Sequence, residues 1–258
     1  MKDYGLVSVI TPAYNSERFI GEMIQSVLNQ SYHNWELVIT DDCSTDNTAE
    51  IVRQYSKQDD RIHYYCLKEN SGAGVARNNS IEKAKGRFIT FLDADDMWMP
   101  QKLEIQLDFM IKKDCAMSFA SHMLINESSE IIGIEVAPNK HTLSQCKKDN
   151  KAGFLTTVYD IDKVGKVMMP TLRKRQDWGL VLKVLLKCKE AYGIKMPIAY
   201  YRIGQESISK NKWSLVKYNI ALYQTVLGWT KIYSILYFLF VYMPNWTFKI
   251  WLKAQYNK

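Results

Sequence analysis

Apolar residues in the first hundred positions follow two alternating periods. Short apolar runs of strand length occur at residues 6–11, 35–40, 62–66 and 87–92. Between them lie segments with the periodicity of amphipathic helices, at residues 20–28, 47–55 and 74–86. Alternating strands and helices with short connections are typical of a doubly wound sheet that helices cover on both faces. We therefore expect an α/β fold with a mostly parallel sheet.

Local residue types predict where some of these helices begin and end. Asn47 and Glu50 have the spacing of a capping box at the start of the second helix. Gly86 is expected to close the third helix, since glycine is frequent just past helix ends. A further helix is predicted to start near Pro100.

The chain beyond residue 100 has fewer periodic segments. The helix after Pro100 has an apolar face of Leu103, Leu107, Met110 and Ile111. Further predicted elements are a strand at 116–120, loops and short strands at 127–153, a helix at 176–187, a last strand at 198–203 and a helical tail from 213.

Polar clusters follow three of the four predicted N-terminal strands. The segments TPAYN, DDCSTDN and DADD come directly after the first, second and fourth strands. Carboxyl ends of strands in open α/β sheets form the edge where ligands bind. The sequence therefore predicts one site, assembled from loops that are distant along the chain.

Composition narrows the class of protein. The chain has 258 residues, 47% of them hydrophobic and 24% charged, as expected of a globular protein with one large domain. Its five cysteines are scattered and form no Cys-x-x-Cys pair, so we expect reduced thiols in the cytoplasm. The first residues do not have the pattern of a signal peptide.

The net charge of +7 is concentrated in the tail. Residues 210–258 contain seven of the 34 basic residues, no acidic residue and four of the seven tryptophans. The remaining 27 basic residues equal the 27 acidic ones in number. A neutral body with a basic, aromatic tail favours an anionic membrane surface as a partner and argues against nucleic acid.

Asp93 and Asp95 are candidate ligands for a divalent cation. They alternate on an extended segment that leaves a strand, and oxygen-only ligands suit Mg²⁺ or Mn²⁺. Alternatively, these acids are solvated loop residues, with Asp95 or Asp96 capping the next helix. The spacing alone does not separate the two interpretations.

The other candidate residues each have a structural alternative. Asp42 could accept hydrogen bonds from a base or ribose, or form an Asx-turn. Tyr14, after Pro12, could lie against a nucleobase or simply pack in a turn. Arg77 could stabilise a diphosphate or form a surface ion pair. Asp177 could deprotonate a hydroxyl or be only the N-cap of a helix, at the end where the helix dipole favours acids.

Taken in order, these motifs form a family pattern. The chain contains the segments VSVITPAYN, QSYHNWELVITDDCSTDNT, NSGAGVARN, FITFLDADDMWMPQKLE, RQDWGLVLK and YRIGQESIS. This order resembles the family 2 glycosyltransferases of GT-A fold, over residues 8–107 and again over 171–212. No Gln-x-x-Arg-Trp segment occurs, so the resemblance is to the non-processive, inverting members.

The resemblance implies a role for each candidate residue. Asp95 would ligate Mn²⁺ or Mg²⁺, and Asp177 would be the general base. The nucleotide-sugar, with UDP as the expected nucleotide, would be bound by Pro12, Tyr14, Asp42, Arg77, Asp93, Arg202 and Ser207. The implied reaction transfers a hexosyl group from the nucleotide-sugar to a hydroxyl of a glycan acceptor.

The resemblance also divides the chain. Residues 1–100 are expected to form the nucleotide-sugar-binding half of a domain, and residues 101–212 its acceptor-binding and catalytic-base half. Residues 213–258 are predicted to be a basic, aromatic helical tail. The apolar run at 232–244 is too short for a comfortable transmembrane helix, so we expect it to lie on the inner leaflet. Packing against the domain, or against a second copy in a homodimer, is the alternative.

Contact with the membrane suits an acceptor linked to a polyprenyl diphosphate. We therefore expect a peripheral protein on the cytoplasmic face of the membrane, in the biosynthesis of O-antigen, capsule or exopolysaccharide. One alternative is a non-catalytic peripheral membrane protein on a degenerate transferase fold. A sugar-nucleotide pyrophosphorylase would need a glycine-rich loop after the first strand, and an Asp-x-Asp phosphatase would need its acids there; neither occurs.

Overall fold

The computed structural model describes residues 2–204 and 215–256. The strands of this part of the chain join in one ten-stranded sheet. They are β1 (Val7–Ala13), β2 (Trp35–Asp41), β3 (Ile62–Cys66), β4 (Phe88–Phe91), β5 (Met97–Trp98), β6 (Met117–Ile125), β7 (Ile131–Glu135), β8 (Lys140–Thr142), β9 (Val158–Asp160) and β10 (Glu190–Arg202).

Helices connect the strands and form the C-terminal segment. They are α1 (Ile20–Leu28), α2 (Thr48–Gln58), α3 (Ala73–Lys83), α4 (Lys102–Lys113), α5 (Leu143–Lys148), α6 (Ile161–Val164), α7 (Gln176–Cys188), α8 (Leu215–Leu227), α9 (Lys231–Tyr237) and α10 (Met243–Tyr256). A 3-10 turn spans Phe154–Thr156, and a π-helical turn, Phe238–Tyr242, joins α9 to α10.

The predicted α/β sheet is confirmed. The main path of the sheet runs β3-β2-β1-β4-β9-β6-β10-β5, with parallel pairing from β3 to β4 and between β6 and β10. Strand β9 lies between β4 and β6 and is antiparallel to both. This insertion joins the two parallel parts of the sheet and makes it mixed.

Two hydrophobic cores lie on opposite faces of the sheet. Because side chains alternate along a strand, Val9 packs in one core and Ile10 in the other. The first core is covered by α1, α2 and α4, and the second by α3, α7 and α8. Helices therefore cover both faces, as the apolar runs in the strands predict.

The structure corrects two predicted helix boundaries. Asn47 precedes α2, but its side chain makes no capping bond and donates instead to Glu17, so the predicted capping box is wrong. Helix α3 ends at Lys83, three residues before Gly86. A Cβ at Gly86 would lie 2.6 Å from the backbone nitrogen of Ser8, so this glycine permits close approach to β1.

Other expectations differ in extent. Ile111 is 37% exposed, so it lies at the margin of the apolar face of α4. The last strand, predicted from residue 198, begins at Glu190. Residues 127–153 form β7, β8 and α5, and a genuine capping box between Thr142 and Gln145 starts α5. Neither Asp95 nor Asp96 caps α4, whose N-cap residue is Gln101.

The C-terminal segment is helical, as predicted, and its first part belongs to the folded body. Leu222, Tyr223 and Phe238 are buried in the second core, where Tyr223 meets the ring of Trp178 edge-on. A second set of its apolar side chains is exposed: Ile232, Tyr233, Leu236, Leu239, Phe240, Phe248 and Trp251. Among the residues described, no helix is both long and apolar enough to span a membrane.

Candidate active site

The loops after β1 and β2 meet at the carboxyl edge of the sheet, as predicted. The backbone N–H of Asp42 donates to the carbonyl of Ala13 across 2.8 Å. Tyr14 follows β1 directly and is half exposed, so its ring is open to a ligand. Pro12 is buried within β1 and pairs with Thr40. It therefore sets the end of the strand and presents no side chain to the cleft described below.

The Asp42 carboxylate organises the loop before α3. Its two oxygens accept hydrogen bonds from the backbone N–H groups of Ser71 and Gly72, at 2.7 and 2.8 Å. Gly72 has φ of 91°, a left-handed conformation that favours glycine. The Asx-turn alternative applies to the neighbouring Asp41, whose carboxylate accepts from the backbone of Ser44.

Arg77 and Asp93 form an ion pair at the mouth of the sheet edge. Nη2 of Arg77 lies 2.5 Å from Oδ1 of Asp93, and the arginine lies over the ring of Phe154. The Arg77 side chain is 11% exposed and that of Asp93 36%, so the pair is only partly screened by solvent. The Asp93 carboxylate therefore has a cationic partner that the sequence candidates already included.

Asp95 fits the role of a cation ligand. Asp95 is exposed to solvent, and desolvation by the surrounding protein atoms, followed by the nearby Asp93 carboxylate, raises its pKa. Within residues 2–204 and 215–256, no three His, Cys, Asp or Glu side chains form a ready metal site. A cation at Asp95 would then take its remaining ligands from substrate phosphate and water, as Mg²⁺ commonly does.

Asp96 differs from Asp95 in its environment. It is buried, and one carboxylate oxygen accepts the backbone N–H of Arg202 at 2.8 Å. Burial, followed by the adjacent Asp95 and Asp93, raises the pKa of Asp96 well above its usual range. The third carboxyl group of the DADD segment therefore has a structural role, since it holds the backbone of Arg202.

Arg202 holds this acidic loop in place. Its Nε donates to the carbonyl of Asp95 at 2.9 Å, its Nη2 to Glu22 at 2.8 Å and its Nη1 to Ser129 at 3.0 Å. The guanidinium is buried and lies 4.1 Å from the centre of the Phe19 ring. These contacts give Arg202 a positioning role, and direct contact with a nucleotide-sugar stays a prediction.

A cleft of about 420 Å³ joins the acidic loop to the start of α7. Its lining brings together Arg77, Asp93 and Asp177, three of the predicted site residues. Asp177 lies in the first turn of α7, where Arg175 is the N-cap residue, and it is partly exposed. Pro12, Tyr14, Asp42, Asp95 and Arg202 do not line this cleft.

The cleft also contains residues that motif spacing did not single out. Arg77 lies over the ring of Phe154, and the rings of Tyr201 and His122 pack edge to face. Burial, followed by the nearby Asp96, raises the pKa of Tyr201 to about 12. Tyr201 belongs to the strand predicted at 198–203, and the apolar pattern of that strand does not show that the residue lines a cleft. Ser207 lies outside the described residues.

Comparison with known protein families assigns the chain to one of them. The model of "Glycosyl transferase family 2" matches residues 8–159, which is more than half of the chain. The chain belongs to this family and is a glycosyltransferase. The match covers the loops after β1, β2 and β4 and ends with β9, before Asp177.

Two relatives extend the similarity past α7. The chain is 44% identical over 222 residues to "Putative teichuronic acid biosynthesis glycosyltransferase TuaG" of Bacillus subtilis, covering 86% of this chain and 88% of the relative. It is 40% identical over 218 residues to "UDP-Glc:alpha-D-GlcNAc-diphosphoundecaprenol beta-1,3-glucosyltransferase WfgD" of Escherichia coli, covering 84% of each.

Solved structures confirm the fold. The S. aureus TarS 1-349 structure in complex with UDP-GlcNAc superposes with a TM-score of 0.70 at 20% identity, over 96% of this chain and 77% of that chain. The mannosyltransferase PcManGT from Pyrobaculum calidifontis, in complex with GDP-Man and Mn2+, gives 0.64 at 14% identity, over 97% and 75%. At these identities the likeness is one of fold.

Proposed function

We propose that this glycosyltransferase moves a sugar from a UDP-sugar to a hydroxyl of a lipid-linked glycan acceptor, with inversion at the anomeric carbon. The observation that carries the proposal is the shared cleft of Arg77, Asp93 and Asp177. The Arg77–Asp93 ion pair and the Asp177 carboxylate line the same cleft. The name of the Bacillus subtilis relative assigns it to teichuronic acid biosynthesis, and the name of the Escherichia coli relative gives it a diphosphoundecaprenol-linked acceptor.

Asp177 is the proposed general base. An acceptor hydroxyl is a weak nucleophile, so a carboxylate that removes its proton as the new bond forms accelerates the attack. Helix α7 anchors this residue through Trp178, which is buried and donates to the carbonyl of Cys146 at 2.7 Å. One catalytic carboxylate suffices for direct displacement, whereas a glycosidase needs two.

Departure of the nucleoside diphosphate is the second requirement. Arg77 places a guanidinium beside Asp93, where it can offset negative charge that develops on the leaving phosphate. A divalent cation held by Asp95, Mn²⁺ or Mg²⁺, would supply further charge stabilisation when bound. Tyr14 and Asp42 are proposed to contact the base, with Asp42 acting partly through the loop that it already binds.

The two proposed halves of the domain share the sheet. Residues 1–100 supply the proposed donor site, and residues 101–212 supply Asp177 and most of the remaining cleft lining. Arg202 is proposed to act by holding the DADD loop against Glu22. Ser207 keeps its proposed role near the diphosphate as a prediction from the family pattern alone.

The exposed side of the tail is proposed to lie on an anionic membrane. Phe240 is 74% exposed and Ile232 72%, beside the basic residue Lys231. An amphipathic surface of this kind favours the headgroup region of a bilayer. This location brings the cleft close to an acceptor whose lipid stays in the inner leaflet.

The proposal is tested by thermal shift with UDP, GDP, dTDP and CMP sugars, each with and without Mn²⁺. A ligand that binds the folded state raises the melting temperature by mass action. We expect a Mn²⁺-dependent shift with a UDP-sugar that is lost in Asp95→Ala. No shift with any nucleotide would contradict the proposal and favour a non-catalytic protein on a transferase fold.

A further inference from the structure

The loop before α7 carries three consecutive cations along the cleft. Arg173, Lys174 and Arg175 line it together with Gln176 and Asp177. Along the chain, these three residues come just before Asp177, the proposed base. The donor site as proposed uses none of them.

This loop has a defined conformation. Arg175 has φ of 67°, in the left-handed region that a non-glycine residue adopts only when its surroundings hold it there. Its Nε donates to Oδ1 of Asn219 at 2.9 Å and its Nη2 to the hydroxyl of Tyr242 at 3.4 Å. The guanidinium also lies over the ring of Trp178. Residues of the tail thus shape the loop.

The charges in the cleft do not balance at this end. Asp93 is already paired with Arg77, and Asp96 is buried and accepts the backbone N–H of Arg202. Asn219 and Tyr242 are neutral partners, so they leave the charge of Arg175 uncompensated. Among the residues that the structure describes, Glu135 and Asp177 are the other acids of the lining, and Arg173, Arg175 and Lys151 are further cations. The part of the cleft around Asp177 is therefore cationic.

We propose that the loop at residues 173–175 binds the diphosphate of the lipid-linked acceptor, as a second diphosphate site besides that of the donor. The inference rests on the proposed function. In a sugar diphosphate lipid, the hydroxyls and the diphosphate are on the same ring, so a hydroxyl at Asp177 leaves the diphosphate one ring away. Cations in the residues just before Asp177 fit that arrangement.

The contacts of Arg175 also provide a route for the lipid. Its partner Tyr242 ends the π-helical turn, which carries the exposed side chains of Leu239 and Phe240. A diphosphate on the loop would therefore have its lipid chain beside the exposed apolar surface of the tail. Anion recognition and lipid contact would then come from adjoining segments.

Binding of farnesyl diphosphate to the full-length protein tests the proposal, with farnesol as the neutral probe. It is measured both without nucleotide and in the presence of saturating UDP. Arg173→Ala combined with Lys174→Ala should weaken farnesyl diphosphate binding about tenfold or more, since hydrogen bonds between charged groups are the strong ones. Farnesol binding and the affinity for UDP should not change.

The control variant is Arg53→Ala, which removes an exposed arginine from α2, away from the cleft. It should bind farnesyl diphosphate as the wild type does. Melting temperatures of all variants check that they are folded. Unchanged binding of farnesyl diphosphate in the folded double variant would overturn the proposal.

Two further results would also overturn it. An equal loss of UDP affinity in the double variant would assign the cations to the donor. Weaker binding to phosphatidylglycerol vesicles, with farnesyl diphosphate unaffected, would assign them to lipid headgroups. The assay without nucleotide needs neither donor nor transfer, so its result can be interpreted even if the proposed function is wrong. A wild type that does not bind UDP would contradict the proposed function and would not affect this test of the acceptor site.

Discussion

The guanidinium of Arg77 contacts the carboxylate of Asp93 at 2.5 Å, and this pair accounts for the density of acids in the DADD segment. Three carboxylates within four positions repel one another unless positive charge lies among them. Arg77 compensates Asp93, and Asp96 is buried beneath Arg202. Asp95 is left exposed, which suits a ligand for a cation.

Replacement of Arg77 should affect both stability and donor binding. Arg77→Met leaves Asp93 without its cation, beside Asp95. We expect the free energy of unfolding to fall by about 1 to 3 kcal/mol, the usual cost of losing a partner for a charged group. Urea unfolding measures the first effect, and calorimetric titration with UDP should show weaker binding.

An exposed ion pair provides the control for Arg77→Met. Arg18 and Glu127 are paired at 2.7 Å, with side chains 61% and 40% exposed. Arg18→Met should cost less than about 1 kcal/mol, because solvent screens exposed pairs. Equal losses in the two variants would contradict the role given to Arg77.

The sequence was sufficient for the site's outline because its residues lie at strand ends. Asp42 and Asp93 follow β2 and β4, and the short apolar runs in the sequence are enough to identify those two strands. The hydrophobic pattern does not show which side chains meet in the fold. The contacts of Arg202 with Glu22 and with the Asp95 carbonyl were therefore not predictable. Strand β9, only three residues long, is likewise too short for a pattern.

Lys102 should make stability depend on pH. It is fully buried, its Nζ donates to Thr90 at 2.8 Å, and burial lowers its pKa well below the ordinary value of 10.5. Between the lowered pKa and 10.5, the unfolded chain binds a proton that the folded protein does not. The free energy of unfolding therefore rises with pH in that interval, by up to about 1.4 kcal/mol per pH unit.

Lys102→Met removes this dependence. Urea unfolding of both proteins between pH 6 and pH 9.5 should show the wild type gaining stability on the variant as pH rises. The other titrating groups are common to both proteins and cancel in the difference. A difference that is constant over this range, or that moves in favour of the variant, would show that Lys102 is charged in the folded state, held by the face of Trp98.

The tail should influence catalysis through Arg175. Asn219→Leu removes the acceptor for Nε of Arg175, whereas Asn219→Gln keeps a neutral amide acceptor. We expect Asn219→Leu to lower kcat at least about tenfold, because small misplacement of a catalytic group is costly. The Kd for UDP should be unchanged, and Asn219→Gln should retain activity.

A merely structural effect of Asn219 would give a different result. A destabilised fold would lower UDP binding and kcat together, and Asn219→Gln would not restore either. Tyr242→Phe provides a milder variant, since it deletes only the hydroxyl that Nη2 of Arg175 contacts.

The exposed side of the tail should bind anionic vesicles. Phe240→Ser together with Leu239→Ser should weaken co-sedimentation with phosphatidylglycerol vesicles at least about tenfold, because burial of each large apolar side chain contributes about 1.5 to 3 kcal/mol. Tyr233 and Trp251 remain in this variant. The exposed Ile131→Ser, on β7, is the matched control and should bind normally.

The tail shows where sequence reasoning stopped. Its aromatic and basic composition predicted a surface segment, yet Tyr223 is buried against Trp178 and Trp229. Composition does not distinguish side chains that face the domain from those that face outward. The packing of α8 on α7 in the structure shows which side chains of the tail are buried against the domain.

Transfer by the wild type and by Asp177→Asn tests the central claim most directly. The donor is a UDP-sugar that the thermal panel selects. The acceptor is a short-chain N-acetylglucosaminyl diphosphate lipid, the class that the name of the WfgD relative gives. The account predicts product with the wild type, a loss of about 10² to 10⁴ in kcat for Asp177→Asn, and equal UDP affinity in both. Undiminished transfer by Asp177→Asn would contradict it.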